Sequence, residues 1–173
     1  DGLSTEDSIR AAQKIESLGY GALWLPETVG KDPLTTSSLL LSVTTKLNLA
    51  TGIVNIYHRE PGVMLAAQKT LAEQSQNRFI LGMGVSHKPL VEGVRGLEYG
   101  PPVKTMRDYL SKMEASPYTG IASSEKPTTL IAALGPKMLE LAAEKTDGAH
   151  PYFTSPEHTE FARKILGKDK KLC

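Results

Sequence analysis

The eight residues RFILGMGV, Arg78 to Val85, decide the architecture. A strand with one face in water alternates apolar and polar residues, because successive side chains point to opposite faces. This stretch does not alternate: no polar side chain interrupts it between Arg78 and Ser86. Such a strand is covered on both faces, as in a parallel sheet flanked by helices. Its surroundings agree. The helical stretch VMLAAQKTLAEQSQ, 63–76, precedes it, and VKTMRDYLSKMEA, 103–115, follows after the Gly/Pro-rich connection EGVRGLEYGPP, 92–102.

Working outward, helix and strand keep alternating. Ser4 with Asp7 three residues on starts a helix that carries Ile9, Ala12, Ile15 and Leu18 on one face and stops at Gly19. GALWLPE, 21–27, is of strand length, and Asp32-Pro33 supplies a cap and a first-turn proline for the next helix. LNLATGIVNIY, 47–57, reads as one strand, and Glu60-Pro61 opens the helix behind it. TTLIAAL, 128–134, and GAHPYF, 148–153, are further strands, each followed by a helix: Gly135-Pro136 opens one, and Ser155-Pro156 opens the other, which Gly167 ends. Two architectures satisfy the pattern, a (β/α)₈ barrel and an open doubly wound sheet, and periodicity does not choose between them.

Composition excludes several functions. The chain of 173 residues has a net charge of +1 and no basic block beyond the KDKK tail, so neither nucleic acid nor an anionic membrane is implied and a small-molecule partner is expected. No apolar run approaches the ~20 residues that cross a bilayer. The single cysteine, Cys173, cannot close a disulfide within the chain, which fits a cytoplasmic location.

In both architectures the carboxyl ends of the strands form the functional face. Glu27 and Thr28 lie there, as do Asn55, His58 and Arg59, then Ser86 and His87, then Leu134 and Gly135, and finally His150. Each alone is as well explained as a cap or a solvated loop side chain. His158, inside the last helix, reads as a surface residue. GMG is no dinucleotide fingerprint, because the third glycine of G-x-G-x-x-G would fall at His87. Gly135-Pro136 leads straight into a helix whose free amides suit a phosphate. His58, His87 and His150 also suit a metal-dependent barrel hydrolase, although none is spaced as H-x-H or H-E-x-x-H.

YGALWLPE, LATGIVNIYHREP, LAEQSQNRFILGMGVSH and IAALGPKMLELAAEKTDGAHPYFTSPEHT together resemble the luciferase-like monooxygenases, in particular their deazaflavin-dependent oxidoreductase branch. The resemblance runs along nearly the whole chain. It implies a (β/α)₈ TIM-type barrel that binds an 8-hydroxy-5-deazaflavin coenzyme, or alternatively FMN, across the carboxyl ends of its strands. It places Glu27 and Thr28 after the second barrel strand, where relatives often carry Asp-His. It puts a non-proline cis peptide at Gly52–Ile53, beneath the ring, with Thr51 and Asn55 beside it, and the cofactor phosphate on Leu134 and Gly135. His87 matches a position where relatives have Glu. Glu27 and His87 are therefore the expected catalytic pair, and the departures at Thr28 and His87 argue against a sugar-phosphate substrate.

A complete barrel of this kind takes about 250 residues. The chain is expected to hold barrel strands two to six in one domain, 1–173, truncated at both ends. Two function classes follow. One is a flavin- or deazaflavin-dependent oxidoreductase or monooxygenase that transfers hydride to or from a small organic substrate, as a homodimer. The other is a non-catalytic remnant whose open sheet edges act through self-association.

Overall fold

The computed structural model describes residues 2–173, and every strand pairing in it is parallel. The elements alternate: α1 (Thr5–Ser17), β1 (Ala22–Leu25), α2 (Pro33–Ser42), β2 (Asn48–Thr51), β3 (Val54–Asn55), α3 (Pro61–Gln74), β4 (Phe79–Gly84), α4 (Pro102–Ala115), β5 (Thr128–Ala132), α5 (Pro136–Lys145), β6 (Gly148–His150), α6 (Pro156–Leu166) and β7 (Lys171–Leu172). The sheet runs β1-β2-β4-β5-β6-β7, with β3 paired to β4 beyond the end of β2. This is a parallel half-barrel, the incomplete (β/α) barrel expected from the sequence.

The caps are those the sequence announces. Ser4, Asp32, Glu60 and Ser155 each accept a backbone N–H three residues on, and proline stands in the first turn of the last three of these helices. Gly167 ends α6 at φ 78°, a conformation that L side chains rarely adopt. The core fills the space between the sheet's outer face and the helices. Leu49, Phe79, Leu81, Met83, Ile131 and Ala149 meet Ala12, Leu40, Met64, Leu71, Met106 and Leu139 there, all buried. Arg78 explains the motif ahead of β4: its guanidinium donates to the carbonyls of Ser75 (3.1 Å), Leu47 (3.0 Å) and Leu41 (2.8 Å), tying α2 and α3 to the amino ends of the strands.

Three expectations need correction. LNLATGIVNIY is not one strand: β2 and β3 are separated at Gly52–Ile53, and a 3₁₀ turn, Ile56–His58, follows. After β4, Pro89–Val94 form a π-helical turn that runs into the Gly/Pro-rich connection. GAHPYF is strand only to His150, where Pro151 removes the next donor. The lysine-rich tail supplies β7, which pairs with β6, so the sheet reaches one short strand beyond the expected second to sixth. The split between β2 and β3 and the added β7 are set by partners distant in sequence. Among the described residues, no helix is long and apolar enough to cross a membrane.

Candidate active site at the carboxyl rim of the sheet

The rim is organised by a bulge in the strand that β2 and β3 form. From Ala50 to Val54 that strand advances four residues while its partner advances three, Ile80 to Met83. The extra residue breaks the ladder and re-aims the side chains that follow. The Gly52–Ile53 peptide at this point is cis, as the resemblance implies. Thr51 replaces the lost ladder bonds: its buried hydroxyl donates to the Gly82 carbonyl at 2.8 Å and accepts from the Gly82 N–H at 2.9 Å. Gly82 and Gly84 leave the room this requires. A Cβ on Gly82 would meet the Thr51 carbonyl oxygen at 2.0 Å, and one on Gly84 would meet Ile53 Cδ1 at 2.7 Å. Ile53 thus lies flat across β4 on the concave face of the sheet.

Beside the bulge two rings stack against Gly52. Trp24 of β1 and His150 of β6 stack with centroids 4.3 Å apart and planes 4° from parallel. Gly52 packs on both, since a Cβ there would come 3.2 Å from His150 Nε2 and 3.3 Å from Trp24 Cε3. Burial holds the His150 imidazole below its ordinary value, and the Cys173 backbone opposes that shift.

Glu27, just past β1, turns into the wall of the rim. Its carboxylate accepts the Asn55 N–H at 2.6 Å, pairs with Arg59 Nη1 at 2.7 Å and lies 3.5 Å from His58 Nδ1. Arg59 also bonds Asp32, the cap of α2, while its own carbonyl accepts the Tyr109 hydroxyl from α4 at 2.8 Å. Burial opposes the charged form of Arg59, but the two carboxylates outweigh it and raise its pKa. Burial likewise opposes the Asp32 carboxylate; the Thr35 amide and Arg59 outweigh it and hold that carboxyl low.

The segment after β4 folds back over the rim. Ser86, at φ 56°, leads to an exposed His87. Tyr99 donates to the Ser86 carbonyl at 3.4 Å and stacks on Tyr57, whose hydroxyl accepts the Gly100 N–H at 3.0 Å. Arg95 reaches the Thr28 carbonyl at 3.0 Å and closes the arc toward β1. On the far side, Gly135 begins α5 with no side-chain cap, and a Cβ on it would meet nothing within 4 Å.

Several of the groups expected on one rim touch. Glu27 meets Asn55, Ile53 rests on Gly84, and Gly84 pairs with Asn55 two residues before Ser86 and three before His87. Thr28, Leu134 and Gly135 stand in the neighbouring loops. The three histidines of the metal reading do not converge: His58 is engaged by Glu27 and Asn55, His150 lies on Trp24, and His87 is exposed. Among the described residues no three His, Cys, Asp or Glu side chains are grouped as metal ligands, and the hydrolase reading falls. His158 is no simple surface residue, because its Nε2 lies 2.8 Å from the Leu134 carbonyl and fastens α6 to the turn before α5. Its helical position gave no sign of this. The Glu27–Arg59 pair was equally hidden, being 32 residues apart, with only its placement at neighbouring strand ends to suggest it.

Comparison with known proteins gives the geometry its context. A Mycobacterium tuberculosis protein assigned as a coenzyme F420-dependent oxidoreductase is 30% identical over 171 residues, an alignment covering 82% of this chain and 49% of that protein. The chain thus spans about half the length of the curated relatives it matches. Among solved structures, the coenzyme F420-dependent tetrahydromethanopterin reductase of Methanopyrus kandleri superposes with a TM-score of 0.77 at 20% identity, covering 95% of this chain and 57% of its own. The oxygenating constituent of 3,6-diketocamphane monooxygenase from Pseudomonas putida, solved with FMN, gives 0.75 at 15% identity, with coverages of 95% and 58%. Residues 3–166, nearly the whole alternating pattern, match the luciferase-like monooxygenase family, and the chain belongs to that family.

Proposed function

We propose that this chain carries the cofactor-binding rim of an oxidoreductase that uses a deazaflavin (coenzyme F420) or FMN and transfers hydride to or from a small organic substrate. A homodimer in the cytoplasm belongs to the same reading. The observation that carries it is the pairing of a flat apolar shelf, Ile53 laid over Gly84, with an open helix start at Gly135 on the same rim. The residues fit the cofactor: a planar ring needs a surface without projecting side chains, and an anionic tail needs free amides at the positive end of a helix. When bound, the ring supplies the carbon that gives or takes the hydride.

The protein's share is placement and proton handling. Ile53 borders the ring with the buried Asn55 behind it, and Leu134 and Gly135 receive the phosphate. His87 enters from the segment after β4 as proton donor or acceptor for the substrate, a task suited to imidazole near neutral pH. Thr28 borders the ring from the β1 loop, and Glu27 stands behind it. The test is titration of the purified protein with FMN and with the deazaflavin, followed by visible absorption and fluorescence. Saturable binding of either supports the reading, and absence of binding to both refutes it. In a turnover assay, His87→Gln is expected to keep cofactor affinity while lowering the rate by about 10²-fold or more.

A further inference from the structure

Glu27 is nearly buried, and both of its carboxylate oxygens are engaged by the wall of the rim. Its side chain is only 8% exposed, one oxygen faces Arg59, and the other accepts the Asn55 N–H. The topology explains the second bond. β1 ends at Leu25, opposite Thr51, so β3 projects beyond it and has no strand neighbour on that side. The Glu27 carboxylate therefore serves as the missing ladder partner of β3, immediately past the bulge. A buried N–H left without a partner is costly, so this bond helps to fix where Asn55 and the preceding Ile53 lie.

Arg59 holds the carboxylate from behind. It is 13% exposed and bridges Glu27 to Asp32, joining the β1–α2 loop to the start of α3. The planar guanidinium spans two carboxylates, which a lysine ammonium does less well. His58 completes the arrangement. The Asn55 side-chain oxygen accepts the Tyr57 N–H at 3.0 Å, so its amide nitrogen is the group 3.2 Å from His58 Nε2. In the neutral ring that nitrogen accepts, and the hydrogen sits on Nδ1, on the Glu27 side.

We propose that Glu27 and Arg59 act together as a positioning clasp that holds the Ile53–Asn55 segment as the shelf for the planar ring, and that Glu27 is not the proton carrier. The proposal rests on the cofactor reading above for the identity of the ring, but the clasp itself is measurable without any cofactor.

The experiment compares the wild-type chain with Glu27→Gln, Arg59→Ala and the double variant by amide hydrogen exchange, and then by titration with FMN and the deazaflavin well below the melting temperature. Glu27→Gln keeps the side-chain volume but cannot serve both partners; Arg59→Lys is the milder second variant. Local opening is expected to speed Asn55 exchange by about tenfold or more in Glu27→Gln, while the α5 amides of Leu139 and Leu141 keep wild-type rates. Cofactor affinity is expected to fall about tenfold in each single variant and no further in the double, because the two residues form one unit. Arg59→Lys should recover part of the loss. Unchanged Asn55 protection in Glu27→Gln, or additive losses in the double variant, would overturn the clasp. If the wild type binds neither cofactor, the proposed function fails, and the exchange data still decide the clasp.

Discussion

The Trp24 indole and the His150 imidazole lie face to face, 4.3 Å apart, although three strands separate β1 from β6 in the sheet. In a flat sheet those strands would be about 19 Å apart, at roughly 4.8 Å per strand. The contact therefore measures the curvature: the half-barrel bends enough for side chains from remote strands to meet across its concave face. Trp24 is the only tryptophan, so its fluorescence reports the state of the pair.

His150 gives the first pH prediction. Its pKa is lowered below 6.5 by burial. Above 6.5 the ring is neutral in both folded and unfolded chains, and stability is complete with respect to this group. As pH falls from 6.5 toward the folded value, the unfolded chain binds the proton first and stability drops. Trp24 emission should titrate with a midpoint below 6.5, and His150→Phe should abolish that transition while keeping a stacked ring.

Thr51→Val tests the bulge. Valine fills the same space but leaves the Gly82 N–H and carbonyl without the hydroxyl that now serves both. The expected loss is about 3 kcal/mol, read as a lower urea midpoint with an unchanged slope.

The glycines of β4 should differ from each other. Gly82→Ala drives a Cβ to 2.0 Å from a backbone oxygen, which cannot yield, and the variant is expected not to fold. Gly84→Ala meets the end of the Ile53 side chain at 2.7 Å. That side chain can shift, so the chain should fold with a loss of about 1–3 kcal/mol, and cofactor affinity should fall because the shelf has moved.

Acid sensitivity should depend on Glu16. Its carboxylate accepts the N–H groups of Thr45, Lys46 and Leu47 at 2.8, 2.6 and 2.9 Å, and these bonds, led by Lys46, hold its pKa below 4.5. A lowered folded pKa means that stabilisation is present above 4.5 and is lost as pH falls through the folded value. Glu16→Gln should flatten the acid side of the stability profile, measured by denaturant unfolding at a series of pH values.

Much of the architecture was legible because it is local. A cap and its amide are three residues apart, so Ser4, Asp32, Glu60 and Ser155 announce their helices directly. The unbroken apolar run at Phe79–Gly84 likewise states that both faces of β4 are covered. The rim could be named from strand ends, because the carboxyl ends of parallel strands lie together.

The sequence by itself determined the alternation of elements, the parallel sheet and the set of side chains available at its carboxyl end. Only the tertiary structure decided what those side chains do: Thr51 serves Gly82, Glu27 takes the place of a strand beside β3, His150 lies on Trp24, and His158 holds the turn at Leu134. The reason is physical. Hydrogen bonds inside a helix turn are dictated by chain geometry, whereas a buried polar group takes whichever partner the folded chain brings within reach, and that partner is remote in sequence.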